Sequence, residues 1–473
     1  MTLSPADLWQ IFATRRTTQS SLAIVHGQTR ITYEELINRC SAVAAAWPDL
    51  QQKDGKPRVL ILRKDPLDIL ISILAAWSLD ATAAVLRPYG SERIPRLYTN
   101  TIAPDLIVTE DEVLVADHEG QPVDRSRRAP EECLILATSG TTSEPKFVAH
   151  AASSIDLNSS MIARELGISE SDRVQVANPL TYVYGLIGGT LAALRQGARI
   201  FLYPPSLVPS VLLHDLRKNE ITLVQGPASS HRLSLQFWNG KPFESVRLFT
   251  QGGEFCGPAL SSQLARLYPL AKHVQVFGMT EGGRICHREI AEPAVASNEI
   301  GTPFPHCQWK IVPIEGSGAA AAGLLAIKGP LVMLGYVNAA GGYWGLDEEE
   351  FFISSDLVAP APGGGLRLLG RYDRCFKTGG KLVNPTVVET LLVSQDDVRN
   401  AVCSPKPHDI LGLIPTARVV FEHGKRNDVE RLKALCAREL EPHMVPREIL
   451  AVSELPQGGG GKTSLKVDPG STP

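Results

Sequence analysis

Short apolar segments alternate with helix-like segments from the N-terminus to about residue 270, and this alternation limits the fold more than any other feature of the sequence. The best-marked helix is predicted from Thr32 to Trp47, where a threonine and two acidic residues precede apolar residues at helical spacing. Further helices are expected at 65–77, 153–165 and 258–267. Strands are expected at the apolar runs 58–62, 81–86, 105–109, 133–137, 173–177, 198–202, 221–224 and 246–249. This pattern predicts an α/β protein with largely parallel sheets.

The pattern changes beyond about residue 300, where glycine and proline become frequent and short strands follow one another without long helices. The strands expected there, which indicate a small β-rich subdomain, are 309–312, 323–327 and 366–369. After Gly370 the helix and strand pattern returns, at 385–393, 417–421 and 428–440. We therefore place a domain boundary between Tyr372 and Asp373, which gives a large domain, 1–372, and a small C-terminal domain, 373–473.

The composition is that of an ordinary globular protein, with 44% hydrophobic and 21% charged residues and a net charge of -3. The sequence has no basic block of the kind that binds nucleic acid, and no apolar run long enough to span a membrane. The first residues lack the features of a signal peptide, so we expect a cytoplasmic protein. The 8 cysteines have no CxxC spacing and are expected to be reduced thiols rather than disulfides or zinc ligands.

A stretch rich in hydrogen-bond donors follows the strand expected at 133–137. Its residues are Thr138, Ser139, Gly140, Thr141, Thr142 and, after Pro145, Lys146. Small residues allow backbone N–H groups to approach an anion, and the lysine adds positive charge, so this stretch is predicted to bind phosphate. The alternative is a polar surface turn. A second glycine-rich segment, 458–464, is not a Walker loop, because Pro456 stands where the first glycine belongs and no helix follows.

The predicted phosphate loop and seven later segments together resemble the motifs of the adenylate-forming superfamily. This superfamily includes acyl-CoA synthetases, peptide-synthetase adenylation domains and luciferases. The segments occur in the family's order and are 138–146, 179–185, 251–254, 277–281, 329–336, 355–357, 370–380 and 455–462. The resemblance implies a large N-terminal domain of two αβ lobes plus a β-barrel subdomain, with a small mobile α+β C-terminal domain. It also implies attack by a carboxylate on the α-phosphate of Mg-ATP, which yields an acyl adenylate and pyrophosphate.

The resemblance assigns catalytic roles to three residues. Lys462 matches the lysine that bridges the substrate carboxylate and the α-phosphate, although a lysine in a glycine-rich tail is usually only solvated. Glu281 matches the carboxylate that holds Mg2+, and Thr280 is expected beside the α-phosphate. Positive charge is needed in such a site because two anions must meet during the reaction.

Other residues are assigned to the nucleotide and to the moving domain. The loop from Thr138 to Lys146 is expected to hold the β- and γ-phosphates, Asp356 the ribose hydroxyls, and Arg371 the ribose and phosphate. The other residues assigned to the nucleotide, most of them in the adenine slot, are Gly252, Gly253, Glu254, Phe277 and Gly278. The resemblance places a hinge at Asp373 and the path of a pantetheine arm at Gly379 and Gly380.

The acyl pocket is expected to be lined by Tyr182, Val183, Ser229, Met279 and Gly283. Adenylation domains for α-amino acids carry an aspartate where Val183 stands, and an ammonium group beside valine would remain unpaired at a cost of several kcal/mol. We therefore expect an aryl or aliphatic acid that has no α-amino group.

The acyl acceptor remains open at this point. No carrier domain is expected after Lys462, so the acceptor is CoA as first choice, a free-standing phosphopantetheinyl carrier protein as second, or an amine as third. A non-catalytic nucleotide-binding relative and a luciferase-like oxygenase are the alternatives from other classes. Ser143 and Phe147 replace glycines that the family's phosphate loop usually carries, which predicts a more ordered loop or slower closure.

Overall fold

The structure of the protein is a computed structural model, and it describes most of the chain from residue 3 to residue 455. The described residues are 3–14, 21–50, 55–88, 95–116, 124–138, 145–204, 208–254, 256–292, 298–314, 322–340, 342–395, 397–422, 424 and 427–455. Among these residues, no helix is both long enough and apolar enough to cross a membrane. The eight cysteines are all free thiols.

The α-helices lie mainly in the first 270 residues. They are α1 (Pro5–Ala13), α2 (Tyr33–Ala46), α3 (Pro66–Ser78), α4 (Arg96–Ile102), α5 (Ala152–Glu165), α6 (Ala192–Gln196), α7 (Pro209–Lys218), α8 (Ala228–Gln236), α9 (Pro258–Leu267), α10 (Pro385–Val393) and α11 (Val429–Glu439). A π-helix occupies Tyr184–Leu191, and short 3₁₀ turns occupy Arg125–Arg127 and Tyr372–Arg374.

The strands run through the whole chain. They are β1 (Leu22–His26), β2 (Thr29–Thr32), β3 (Arg58–Ile61), β4 (Thr82–Val85), β5 (Leu106–Val108), β6 (Val113–Val115), β7 (Glu132–Ala137), β8 (Phe147–Ala151), β9 (Arg173–Val176), β10 (Arg199–Leu202), β11 (Leu223–Gly226), β12 (Leu248–Gly252), β13 (Lys272–Met279), β14 (Gly283–Glu289), β15 (Glu299–Gly301), β16 (Gln308–Pro313), β17 (Gly323–Lys328), β18 (Gly335–Val337), β19 (Tyr343–Trp344), β20 (Phe352–Pro360), β21 (Leu366–Arg371), β22 (Phe376–Thr378), β23 (Lys381–Val383), β24 (Val398–His408), β25 (Gly412–Phe421) and β26 (Glu448–Ala451).

Side-chain caps fix where several predicted helices begin. The Thr32 hydroxyl and the Glu35 carboxylate form a capping box at the start of α2. The Asp65 carboxylate accepts hydrogen bonds from the backbone N–H groups of Leu67 and Asp68 at the start of α3. These polar signals stand immediately before apolar residues in the sequence, which is why the predicted and observed starts agree within about one residue.

Two eight-stranded sheets form the two αβ lobes. The first has the order β19-β18-β8-β7-β4-β3-β5-β6, with a parallel centre made of β7, β4, β3 and β5. The second has the order β14-β13-β12-β11-β9-β10-β1-β2 and is parallel from β13 to β1. Helix α3 is buried along most of its length in a core that draws side chains from both lobes. The expected parallel α/β lobes are thus confirmed.

The remaining strands form two smaller sheets. The β-rich subdomain is an antiparallel sheet of order β15-β21-β20-β17-β16. The C-terminal part has the order β23-β22-β25-β24, with β26 beside β25, and α10 and α11 pack on it around a separate apolar core. The boundary predicted between residues 372 and 373 falls in the 3₁₀ turn between β21 and β22, and it stays a prediction.

The largest feature that the sequence did not predict is the long β24–β25 hairpin. Only 417–421 was expected as a strand, whereas the ladder extends outward through the pair Pro405 and Pro415 to the pair His408 and Gly412. Proline lacks the N–H that a ladder needs and usually argues against a strand. Here the prolines lie in the outer half of a hairpin.

A fully buried ion pair joins the strands of the first lobe. Arg58 Nε and Nη2 donate to the two carboxylate oxygens of Glu132, each over 2.7 Å, and the Tyr343 hydroxyl donates to Glu132 Oε2 over 2.7 Å. Both charged side chains have no solvent-exposed area. Burial alone would raise the pKa of the Glu132 carboxyl, but the Arg58 guanidinium holds it below its usual value. The pair connects β3 and β7 to the residue that begins β19.

We predict that Glu132→Gln lowers the free energy of unfolding by about 3–5 kcal/mol, because it leaves Arg58 buried without a countercharge. Urea denaturation measures the loss. The control is Glu165→Gln, which removes the partner of the largely exposed Arg164; a far smaller loss is expected there. Equal losses in the two variants would contradict the role given to burial.

Candidate active site

The base of the predicted phosphate loop is closed by two hydrogen bonds between β7 and β8. Thr138 N donates to Lys146 O over 2.9 Å, and Lys146 N donates to Thr138 Oγ1 over 3.3 Å. Ser139, Gly140, Thr141 and Thr142, together with Ser143, lie outside the described residues. Phe147 is buried and its ring contacts Tyr98 at 5.6 Å between centroids, so the residue that replaces a glycine belongs to the core of the lobe.

The Lys146 ammonium lies over two aromatic rings. Its Nζ is 4.8 Å from the centroid of Tyr336 and 5.2 Å from that of Trp344, and the two rings are 4.9 Å apart. An ammonium over aromatic faces is attracted by the ring electrons. The β18–β19 hairpin thus fixes the position of the positive charge beside the loop.

Glu281 lies in the turn between β13 and β14, in which Met279 pairs with Gly283 and Thr280 precedes the glutamate. The Tyr336 hydroxyl donates to Glu281 Oε1 over 2.7 Å, and Met333 N donates to Glu281 O over 2.8 Å. Burial, with the nearby Glu281 charge, raises the pKa of the Tyr336 phenol, which therefore stays protonated and donates. Tyr336 thus contacts both Lys146 and Glu281.

The turn is tight enough to require glycine at position 283. Its φ is +61°, and a Cβ there would lie 2.3 Å from Nδ2 of Asn158. Gly278 is equally confined, because its Cβ would lie 2.3 Å from the carbonyl oxygen of Gly283. Gly278 thus allows β13 to approach β14, and Gly283 allows β14 to approach α5.

Arg371 connects the predicted ribose and hinge residues. Asp356 on β20 pairs with Arg371 on β21 across the sheet, and Arg371 Nη1 lies 3.6 Å from Asp356 Oδ1. Arg371 also donates from Nε to Asp373 Oδ1 over 3.0 Å and from Nη2 to Asp373 Oδ2 over 2.5 Å. The hydrogen bond to Asp373 is the main cause that raises the pKa of Arg371, and the charges of Asp356 and Glu281 raise it further.

The residues predicted for the adenine slot lie around the end of β12. A Cβ on Gly252 would lie 2.6 Å from Cγ2 of Val276, so the position has no room for a side chain. Gly253 has a φ of +78°. The Glu254 carboxylate accepts hydrogen bonds from Ser229 N over 2.7 Å and from Ser229 Oγ over 3.0 Å. A predicted nucleotide residue and a predicted substrate residue therefore bind each other directly.

Phe277 is half-buried and lies at an irregularity of the β13–β14 ladder. It pairs with Cys286, and the register shifts between Phe277 and Gly278. Its ring packs against the apolar core of the β-rich subdomain.

The predicted acyl residues precede the π-helix Tyr184–Leu191. Val183 packs against the main core, and the Arg87 guanidinium lies 4.8 Å from the ring centroid of Tyr182. The Tyr184 hydroxyl lies 2.8 Å from Thr250 Oγ1, and burial raises the pKa of this phenol to about 12. A π-helix often marks a functional site.

Sequence reasoning missed two residues of this region, Tyr336 and Arg284. Tyr336 is the last residue of the segment 329–336, which resembles a family motif, but the resemblance assigns no role to this tyrosine. Arg284 follows Glu281 by three positions and is 5% exposed. The signal in the sequence that points to Arg284 is its position shortly after the motif 277–281.

Gly379 and Gly380 form the two-residue turn between β22 and β23. Their φ values are +54° and +82°, and Thr378 pairs with Lys381 across the turn. Positive φ at both positions is the condition of the favoured hairpin turns. The turn alone therefore explains both glycines, and their predicted role beside a pantetheine arm stays a prediction.

The structure brings Lys146, Glu281 and Arg371 into one cluster, in which Tyr336 contacts the first two and the Glu281 charge acts on Arg371. Lys462 lies outside the described residues. Among the residues that the structure describes, no group of three or more histidine, cysteine, aspartate or glutamate side chains could hold a metal ion.

Two family models match separate parts of the chain. A family model described as AMP-binding enzyme matches residues 11–337, and one described as AMP-binding enzyme C-terminal domain matches residues 387–462. The second match ends at Lys462.

Two curated relatives are CoA ligases by name. Indoleacetate--CoA ligase of Aromatoleum aromaticum is 28% identical over 345 residues, which are 70% of this chain and 65% of the relative. Medium-chain acyl-CoA ligase ACSF2, mitochondrial, of Bos taurus is 24% identical over 404 residues, which are 79% of this chain and 64% of the relative. The chain thus spans less than two thirds of the length of each.

A solved structure shares the fold over almost the whole chain. ATP-bound MatB from Rhodopseudomonas palustris has a TM-score of 0.81 at 19% identity, and the match covers 98% of this chain and 97% of that one.

We predict that Gly380→Val lowers the free energy of unfolding by about 1–3 kcal/mol, because a branched side chain is strained at positive φ. Gly380→Asn should cost less, since asparagine adopts this backbone region more readily. The control is Gly363→Val in the β20–β21 turn, where a Cβ meets nothing within 4 Å and φ is not in the positive range. Equal losses at 380 and 363 in urea denaturation would contradict the explanation by backbone strain.

Proposed function

The chain belongs to the AMP-binding enzyme family of the adenylate-forming superfamily, and on that premise we propose that it activates a carboxylic acid with Mg-ATP and then transfers the acyl group to CoA. The observation that carries the proposal is that Tyr336 contacts both Lys146 and Glu281, and that the Glu281 charge raises the pKa of Arg371. Lys146, Glu281 and Arg371 come from three separate segments that resemble the family's motifs.

In the first step a carboxylate oxygen attacks the α-phosphorus of ATP. A bond forms between them, the bond from the α-phosphorus to the β-bridging oxygen breaks, and pyrophosphate leaves. Two anions approach one another in this step, so fixed positive charge lowers the barrier. We assign Lys462 to the meeting point, Lys146 to the outer phosphates, and Arg371 with Asp356 to the ribose and α-phosphate.

Glu281 is the residue that would hold Mg2+. The ion usually binds proteins through one or two carboxylates together with substrate phosphates, so a single glutamate beside a phosphate site fits it. When bound, the ion neutralises phosphate charge. Tyr336 orients the Glu281 carboxylate by its hydrogen bond of 2.7 Å to Oε1.

In the second step the thiol sulfur attacks the carbonyl carbon of the adenylate. The carbon–sulfur bond forms, the carbon–oxygen bond to AMP breaks, and the thiol proton leaves to solvent. We propose that the C-terminal part turns about Asp373 between the two steps. The hydrogen bonds from Arg371 to Asp373 would be lost in that turn, which would release the guanidinium.

The acid is proposed to lack an α-amino group. Val183 packs against the apolar core, so an ammonium there would be desolvated without a countercharge. Indoleacetate and medium-chain acids, which the relatives' names give as substrates, carry no such group. The same names support CoA as acceptor. Transfer to a carrier protein instead of CoA is the alternative that the assay described below would detect. The cytoplasmic location remains a prediction.

The central test is pyrophosphate release across a panel of aryl, short-chain and medium-chain acids, both monocarboxylic and dicarboxylic, with CoA, with a carrier protein and with neither. We expect ATP-dependent pyrophosphate release with at least one acid and thioester formation only when CoA is present. Thioester on the carrier protein alone would replace CoA as the acceptor. Absence of turnover with every acid would overturn the proposed function.

We predict that Lys462→Ala lowers the rate of adenylate formation by at least about a hundredfold, because it removes the charge placed between the two reacting anions. ATP should still bind, which equilibrium binding measures separately. Lys433→Ala is the matched control, since Lys433 is half-exposed on α11 and pairs with Glu430. Retained adenylation by the Lys462 variant would refute its role.

A further inference from the structure

Arg284 is a buried arginine whose charge has no partner in the described part of the chain. Three arginines are buried among the described residues, and two of them form ion pairs, Arg58 with Glu132 and Arg128 with Asp105. Arg284 is 5% exposed, and neither its Nη1 nor its Nη2 has a hydrogen-bond partner there. A buried charge without a countercharge is one of the most costly features a fold can carry.

The side chain remains a cation despite its burial. Burial lowers the pKa of Arg284 to about 10, and the phenol of Tyr184 is the ionisable group that acts on it. A value near 10 still leaves the guanidinium charged at neutral pH. An apolar residue of similar size would avoid the cost, so stability alone does not explain an arginine at this position.

The guanidinium faces the π-helix of the acyl region. A Cβ placed on Gly188 would lie 3.7 Å from Arg284 Nη2 and 3.4 Å from Cδ2 of Tyr184, with nothing nearer. These are ordinary contact distances, so the space beside the guanidinium could hold at least one further carbon atom. Gly188 follows Tyr182 and Val183, which are assigned to the acyl pocket, by less than two helical turns.

A second buried group in this region also has an unused hydrogen-bond donor. Gln225 Nε2 has no partner among the described residues, and it lies against Gly189, next to Gly188. Leaving a buried donor unsatisfied is costly. Two side chains with unsatisfied donors, Arg284 and Gln225, thus lie against Gly188 and Gly189, and they call for an acceptor that the described part of the protein does not supply.

Glu281 and Arg284 face different parts of the molecule. The Glu281 carboxylate turns to Tyr336 on β18, whereas the Arg284 guanidinium turns to the π-helix. The carboxylate that reacts must lie on the Glu281 side, near the α-phosphate. An anion bound by Arg284 would therefore be a different group of the same substrate.

We propose that the acid activated by this protein carries a second carboxylate, remote from the reacting one, which pairs with the Arg284 guanidinium. This inference rests on the proposed function and narrows its substrate class to dicarboxylic acids. A guanidinium presents two parallel N–H donors to a carboxylate, and both terminal nitrogens of Arg284 are available for this. The second carboxylate undergoes no reaction; it supplies the missing countercharge and fixes the acyl chain.

The test compares dicarboxylic acids with their monomethyl esters, which differ only in the remote charge. Glutarate, adipate and terephthalate are each assayed against the half-ester by pyrophosphate release. We expect a preference for the diacid in kcat/KM of at least about a hundredfold, as pairing of a buried charge implies. Equal or better turnover of the half-esters would overturn the inference while leaving the proposed function intact.

Arg284→Met should abolish or reverse this preference, with the loss for the diacid appearing mainly in KM. Arg284→Lys keeps the charge without the two-pronged geometry and should retain a reduced preference. An undiminished preference for diacids in both variants would contradict the assignment. The lysine variant alone decides the question if the methionine variant does not fold.

Thermal unfolding of the unliganded protein gives a measurement that does not depend on turnover. Arg284→Met should unfold at the same or a higher temperature than the wild type, because it removes an unpaired charge, whereas Arg58→Met should unfold at a lower one. Glutarate should raise the unfolding temperature of the wild type more than its half-ester does, and this difference should vanish in Arg284→Met. This difference in unfolding temperature would be seen even if the protein adenylated no acid. Its absence would contradict the pairing of the second carboxylate with Arg284 but not the proposed function.

Discussion

The buried ion pair between Arg58 and Glu132 is the interaction on which the arrangement of the site depends. Glu132 begins β7, the strand that ends at the predicted phosphate loop, and Arg58 begins β3, which is separated from β7 by β4. The Tyr343 hydroxyl binds the same carboxylate, so the pair also holds the β18–β19 hairpin. That hairpin carries Tyr336, which contacts Lys146 and Glu281. A pair far from solvent thereby sets the spacing of charged groups at the surface.

The sequence predicted those features that depend on local chemistry. The sequence predicts helix α2 because Thr32 and Glu35 form its cap. It predicts eight strands of the two lobes because buried parallel strands are continuous apolar runs, and these are β3, β4, β5, β7, β9, β10, β11 and β12. The recognised motifs located Glu281, Asp356 and Arg371. Lys462 and the middle of the predicted phosphate loop, 139–144, lie outside the described residues, and their roles remain sequence predictions.

Features that depend on contacts between distant segments could not be predicted. The contact of Tyr336 with Glu281 joins residues 55 positions apart. The bond between Ser229 and Glu254 joins a residue assigned to the substrate with one assigned to the nucleotide. Proline concealed the outer part of β24 and β25, and the missing partner of Arg284 becomes visible only when all its neighbours are known.

The bare backbone at Gly188 has a consequence for how ligands are distinguished. Where a pocket wall is made of side chains, it can reject an acyl chain by its outline, and one methylene more or less changes the fit. The wall at Gly188 offers no such outline to the space in front of Arg284. At this end of the proposed acyl pocket, discrimination would therefore fall to charge. Acids of different length but equal charge would be accepted more evenly than acids of equal length but different charge.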